Sequence, residues 1–204
     1  MKGPKVNFRN IRLAALGASA VLAASALTSC TINIGTGSSD DNGMMNHEMM
    51  GSGNSADYSA QDIMFAQMMI PHHQQAVDMG TLAETRVTDE AVKTLAAQIK
   101  SEQAPEIATM KRWLSSAGAS TEMGHDMPMA GMLSDSELAK LESLKGAAFE
   151  KLFLESMIAH HEGAIQMARM VVDSKNTDVA KLAQAIIDSQ TKQIAYMKTL
   201  LAKY

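Results

Sequence analysis

Apolar and polar positions follow three regimes along this 204-residue chain. Behind a basic start (Lys2, Lys5, Arg9, Arg12), residues 13–27 (LAALGASAVLAASAL) form an apolar run of 15. Residues 31–57 (TINIGTGSSDDNGMMNHEMMGSGNSAD) are rich in Gly, Ser, Asn and Asp and lack an apolar period, as in a flexible tether. The pattern then becomes helical. Ser59, with Asp62 three residues on, is a variant capping box that opens a helix over about 59–85. A second helix is predicted over about 88–116, with Val92, Leu95, Ile99, Ile107, Met110 and Leu114 on helical spacing. Residues 117–133 (AGASTEMGHDMPMAGML) form a Gly/Met-rich connection. Ser134 with Glu137 starts a short helix to about 144, which Gly146 breaks or bends. A long helix is predicted over about 147–174, a turn over 175–178, and a last helix to the C-terminus. No segment alternates at period two, so the fold class is all-α.

The helical part repeats itself. FAQMMIPHHQQAVDM (65–79) lies over FLESMIAHHEGAIQM (153–167) at an offset of 88, with Phe, Met, Ile, His-His, Ala and Met shared. The helices that follow match at an offset of 87: Ile99, Gln103, Ile107, Ala108, Met110, Lys111 and Leu114 recur as Ile186, Gln190, Ile194, Ala195, Met197, Lys198 and Leu201. Each unit (about 58–116 and 134–204) is a helical hairpin with one apolar face that it cannot bury alone. Two hairpins pairing face to face make a four-helix bundle with a pseudo-two-fold axis, over 58–204.

A basic segment, a short apolar run and small residues before Cys30 read as a secretory signal over 1–29. Fifteen residues are too few for a stable membrane span, which takes about 20. With Cys30 after Leu27-Thr28-Ser29, the segment looks like a bacterial lipobox, in which Cys30 is lipidated and becomes the first residue of the mature chain. The competing reading is an ordinary signal with an incidental Cys. The tether is then 30–57, and the membrane is a partner through lipidated Cys30. Removing four basic and no acidic residues takes the net charge from −4 to −8 (14 basic, 22 acidic). So acidic a chain has no field to hold nucleic acid. Cys30 is the only cysteine, which excludes disulfide scaffolds, thiol redox chemistry and Cys-based zinc sites.

Methionine is the unusual residue, with 18 present beside four Phe, three Tyr and one Trp. On a helical wheel with His72 at zero, Met79, Met68, Phe65, Ala76 and Met69 all fall within roughly 60° of it. His72 therefore sits mid-stripe on an apolar face, and His73 at its edge. His160 and His161 repeat this among Phe153, Met157, Ala164 and Met167. Pro71 removes the bond to the Gln67 carbonyl in the first copy only; Ala159 stands there in the second. The plain reading makes these histidines core residues bonded to Gln103, Glu106, Gln190 or Gln193 on the next helices; around a metal, the same four residues with Met110 and Met197 would surround the ligands. Two adjacent His in both copies, each set with Met three before and seven after, favour a metal instead, because imidazole is the commonest metal ligand.

Two tracts point to which metal. One holds Met44, Met45, His47, Met49 and Met50; the other holds Met123, His125, Met127, Met129 and Met132. Thioethers with imidazole select Cu(I), or its mimic Ag(I), over Zn, Mg or Fe(II). Outside the cytoplasm thiols oxidise, and Met supplies soft sulfur in their place. The competing reading is a pair of linkers with incidental Met. Other constellations fail: no His on the predicted helices has a Glu three residues before it, as a carboxylate di-iron bundle needs, and phosphate loops, dinucleotide fingerprints and nucleophile elbows are missing. Asp89-Glu90 reads as a solvated helix face.

MMIPHHQQAVDM, MIAHHEGAIQMARM, the Gln103–Met110 run (Gln-x-x-Glu-Ile-x-x-Met), Trp113-Leu114 and Gly131-Met132 resemble the bacterial family known as domain of unknown function 305, the CopM-like group, across roughly 57–204. The resemblance implies an exported, ferritin-like four-helix bundle whose best-understood members bind copper outside the cytoplasm and support copper tolerance. It implies His72, His73, Met69, Met79, His160, His161, Met157 and Met167 as ligands. Two departures are Ala159, where the family usually has Pro, and Gln193 rather than Glu after Gln190. The expectation is a lipid-anchored, extracytoplasmic Cu(I)-binding protein for copper homeostasis, not an enzyme, with a copper exporter or oxidase left open as partner. The rivals are a ferritin-like metal oxidase, which the lack of a Glu-x-x-His on the predicted helices opposes, and a metal-free module of the cell envelope.

Overall fold

The computed structural model describes residues 58–123 and 129–204. Cys30, the signal segment, the tether with its Met44–Met50 tract, and His125 and Met127 lie outside the described residues. Among the described residues there are five helices and no strand: α1 (Ala60–Arg86), α2 (Glu90–Ser116), α3 (Asp135–Ser143), α4 (Gly146–Arg169) and α5 (Thr177–Leu201). None is long and apolar enough to cross a membrane.

The caps show why the helices start where they do. Ser59 and Asp62 close a reciprocal capping box on α1, and Ser134 and Glu137 close one on α3. Asp89 is the N-cap of α2, not a charge on a helix face. Its carboxylate accepts the amides of Ala91 and Val92 (2.7 and 3.4 Å) to cap α2, and it meets Lys203 at 3.1 Å. Gly146 leads into α4 at φ +58°, the left-handed region that glycine tolerates. α4 ends at Arg169, short of the predicted 174. From Met170 to Ser174 the chain tightens into three-residue turns (Met170 to Met167, Val171 to Ala168, Ser174 to Val171), and Val171 is buried in the core. Both α1 and α2 run through a proline, Pro71 as expected and Pro105, which the apolar spacing did not flag.

α1 pairs with α2 and α4 with α5, and the hairpins meet through α1 against α4 and α2 against α5, while α3 lies on α4. The core is not continuous. One apolar cluster joins Phe65, Met69, Ile107, Met110, Trp113, Met167 and Ile186; the other joins Met79, Leu95, Ile99, Phe149, Phe153, Met157 and Met197. Between them in sequence, on all four long helices, lie the buried polar residues His72, His73, Gln103, His160, His161, Gln190 and Gln193. The bundle interior is two apolar plugs separated by a polar layer.

Candidate metal centre

All four histidines are fully buried, His73 and His161 included, so the latter are not at the edge of the apolar stripe. The imidazoles of His72 and His160 come together across the α1/α4 contact, centroids 3.7 Å apart and planes at 36°. His73 and His161 stand 6.5 and 6.4 Å from their sequence neighbours. His73 Nε2 lies 2.7 Å from Glu106 Oε2, and His161 Nε2 lies 2.7 Å from Gln193 Oε1. His72 Nε2 is 3.2 Å from the Ala130 carbonyl. All three partners are oxygens that accept, so in each ring Nε2–H donates and Nδ1 takes no part in the bond. Those three Nδ1 atoms, and both ring nitrogens of His160, are buried without a hydrogen-bond partner.

Gln103 and Gln190, expected as partners, bond to neither His72 nor His160. Both polar atoms of Gln103 and the oxygen of Gln190 are themselves buried and unpartnered. The partners that the plain core-histidine reading expects are found for one nitrogen each of His73 and His161 and for neither nitrogen of the inner pair. A buried polar atom left unpaired costs about 1–3 kcal/mol, and this layer gathers eight such atoms (five ring nitrogens and three amide atoms).

Burial holds the imidazoles of His72, His160 and His161 neutral. It pushes His72 down to about 3, helped by the nearby His73 and His161, and His161 down to about 4, against the bond to Gln193. His160 is driven well below the usual value by burial and then by the surrounding imidazoles. Neutral rings keep the lone pairs that a metal needs.

Met69 and Met79 flank His72 on opposite sides. Ten helical residues span about 15 Å, so no single ion takes both. The tertiary structure regroups the thioethers instead. Met69, Met110 and Met167 share one apolar cluster, and Met79, Met157 and Met197 share the other. Each cluster thus combines Met from before a His-His pair (Met69, with Met68, or Met157), one from after the other pair, and one from α2 or α5. Among the described residues, no group of three or more His, Cys, Asp or Glu is arranged to hold a metal alone.

The last stretch of the α2–α3 connection, residues 129–133, straps across the layer. Its Ala130 carbonyl takes the His72 proton, and Leu133 exchanges two bonds with the Gln75 side chain (2.9 and 2.8 Å). A Cβ on Gly163 would stand 1.8 Å from the Ala130 oxygen, and one on Gly131 2.2 Å from the Ala159 oxygen. Sequence reading missed Gln75, Ala130 and Gly163. Gly163, mid-helix where glycine costs roughly 0.5–1 kcal/mol, was the available signal. Of the second tract, Met123 and Met129 pack against the first apolar cluster. Met132 lines a cleft of about 300 Å³ with Glu137 and Glu155.

The domain of unknown function DUF305 matches residues 62–201. The chain belongs to the DUF305 family. A DUF305 protein of Streptomyces coelicolor, classed as secreted, is 34% identical, with 70% of this chain and 93% of that one covered at a TM-score of 0.67. A DUF305 fragment of Deinococcus radiodurans is 30% identical, covering 72% and 98% at 0.66. CopM in its Cu(I)-bound form is 29% identical, covering 72% and 98% at 0.60, and CopM is also known with Cu(II) and with Ag bound. No curated protein matches this DUF305 chain.

Proposed function

We propose that this DUF305 protein is an extracytoplasmic, lipid-anchored copper-binding protein of metal homeostasis, and not an enzyme. The observation that carries the reading is the polar layer: neutral, buried imidazoles with free ring nitrogens between two thioether clusters. Unpaired nitrogens in a core are stable company for a cation that accepts their lone pairs. With no third His, Asp or Glu ligand among the described residues, an ion here completes its shell with thioether sulfur or glutamine oxygen, a soft set that suits Cu(I) and Ag(I). The inner histidines, His72 and His160, are the primary ligands; His73 and His161 stand behind them, each with Nε2 anchored. The copper and silver forms of CopM support the choice of metal, and the secreted Streptomyces relative supports the location. Cys30 supplies the anchor, and the Met44–Met50 and Met123–Met132 tracts collect or pass on ions.

The test is a Cu(I) titration of the full chain against a chromophoric competitor, beside a His72→Leu/His160→Leu variant. The variant fills the layer with apolar volume, and circular dichroism checks that it is folded. A competitor-resistant site that disappears in the folded variant is expected. Equal binding by both proteins would move copper to the Met/His tracts, and no binding by either would leave the metal-free envelope module.

A further inference from the structure

The two outer histidines are anchored by different chemistry. His73 bonds a carboxylate directly, whereas His161 bonds the amide of Gln193, the position that the repeat pairs with Glu106. A glutamine amide has an accepting end and a donating end of nearly the same shape, so by itself it does not dictate which ring nitrogen of a histidine carries the proton. Here the far end is committed. Gln193 Nε2 donates to Glu102 Oε2 at 2.8 Å, and a carboxylate only accepts. The other oxygen of Glu102 accepts from Gln98 at 2.7 Å, which holds the carboxylate in place.

We propose that Glu102 is a positioning residue for His161: through Gln193 it forces the proton onto Nε2 and leaves Nδ1 as the donor atom. With Glu102 gone, the amide is free to turn and present its NH₂ to His161. The ring then accepts at Nε2 and carries its proton on Nδ1, which removes the lone pair inside the layer. The repeat sets Ser189 opposite Glu102, so α5 has no carboxylate at the matching position. Glu102 comes from the first hairpin and His161 from the second, and the relay exists only where α2 and α5 meet. A groove of about 480 Å³ lies there, lined by Glu102, Ser189 and Gln193 among others. The role in metal binding rests on the reading of the histidine layer given above; the choice of tautomer does not.

The experiment records imidazole ¹⁵N shifts of the metal-free full chain and then its Cu(I) affinity, for wild type, Glu102→Ala, Glu102→Gln and Glu102→Ala/Gln193→Glu. Glu102 is half-buried, and Glu102→Gln keeps its shape in case the alanine variant folds poorly. Expected are a pure Nε2–H His161 in wild type, a loss of that tautomer in both single variants, and a Cu(I) affinity weaker by about 10-fold. Gln193→Glu recreates the direct carboxylate of the first hairpin and restores both readouts. A His161 that stays wholly Nε2–H in the single variants overturns the proposal, as does failure of the rescue. A tautomer that shifts as expected in a chain that binds no Cu(I) upholds the relay and removes the copper reading instead.

Discussion

The first hairpin and the second carry the same His-His pair and support it with different atoms. In the first, Glu106 faces His73 directly, Gln75 ties the strap at Leu133, and Pro71 precedes the pair. In the second, Gln193 stands in for Glu106, Gly163 for Gln75 and Ala159 for Pro71, each at the matching repeat position. The difference has a steric origin. A single strap crosses both α1 and α4, and one segment cannot obey a two-fold axis. Where it bonds a long side chain on one helix, it must press on the bare backbone of the other. The histidines can be duplicated, but their surroundings cannot.

That comparison can be broken most strongly with acid. His72 and His161 lie at about 3 and about 4, below the usual 6.5, so the unfolded chain binds the extra protons. Stability is therefore complete above about pH 6.5 and is lost as pH falls from there toward 4. Each of these histidines contributes roughly 1.4 kcal/mol per pH unit in that window. Urea midpoints of the metal-free chain from pH 7 to 4.5 measure the slope. His72→Leu and His161→Leu should each flatten it by about one proton, so a variant with an unchanged slope would mean that its histidine is not held neutral.

The strap comes next. Gly163→Ala sets a Cβ against the Ala130 backbone and should cost about 1–3 kcal/mol, because backbone, not a flexible side chain, has to give way. Gln75→Ala leaves the Leu133 amide and carbonyl without their partner and should cost about 1–2 kcal/mol. Denaturant unfolding of the two variants compares the two sides of the strap. An alanine at 163 or at 75 that leaves stability unchanged would contradict this account of the strap.

Replacing the inner pair should have the opposite sign. His72→Leu/His160→Leu removes three unpartnered ring nitrogens and should raise the metal-free stability by about 1–2 kcal/mol at pH 7, read from the urea midpoint. A layer that loses stability on this exchange would be held together by contacts of the rings themselves.

The smallest expected effect lies at the helix starts. Asp62 and Glu150 occupy the same repeat position and are both buried. Glu150 reaches the turn before α2, accepting from the amides of Thr88 (2.5 Å) and Asp89 (2.9 Å), while Tyr204 donates to its other oxygen. Asp62 is one methylene shorter. Its Oδ1 has no partner, and a cavity of about 410 Å³ bounded by Ser174 and Lys175 lies beside it. Asp62→Glu keeps the capping box and should gain about 0.5–1.5 kcal/mol by reaching the turn at Ser174 and Lys175, as thermal unfolding would show.

Much of this was legible in the residues. The two serine capping boxes, the left-handed glycine before α4 and the 88-residue repeat are local or self-comparing signals, and each requires nothing from distant chain. The repeat also implied which histidines are equivalent. Tertiary structure alone decided what those histidines touch. Helical spacing put Met69 and Met79 on one face with His72, but the rise along the axis separates them, and only the crossing of four helices regroups six methionines into two clusters. The same holds for the inner histidines. Gln103 and Gln190 were in reach by pattern yet bond neither ring, and the acceptor for His72 is a backbone carbonyl of the strap, invisible to any reading of side-chain types. Sequence by itself determined the helices, their duplication and the residue types of the layer, because these follow from local propensity and periodicity. Only the packed bundle decided which nitrogens are anchored and which are left free, because that depends on atoms brought together from far apart in the chain.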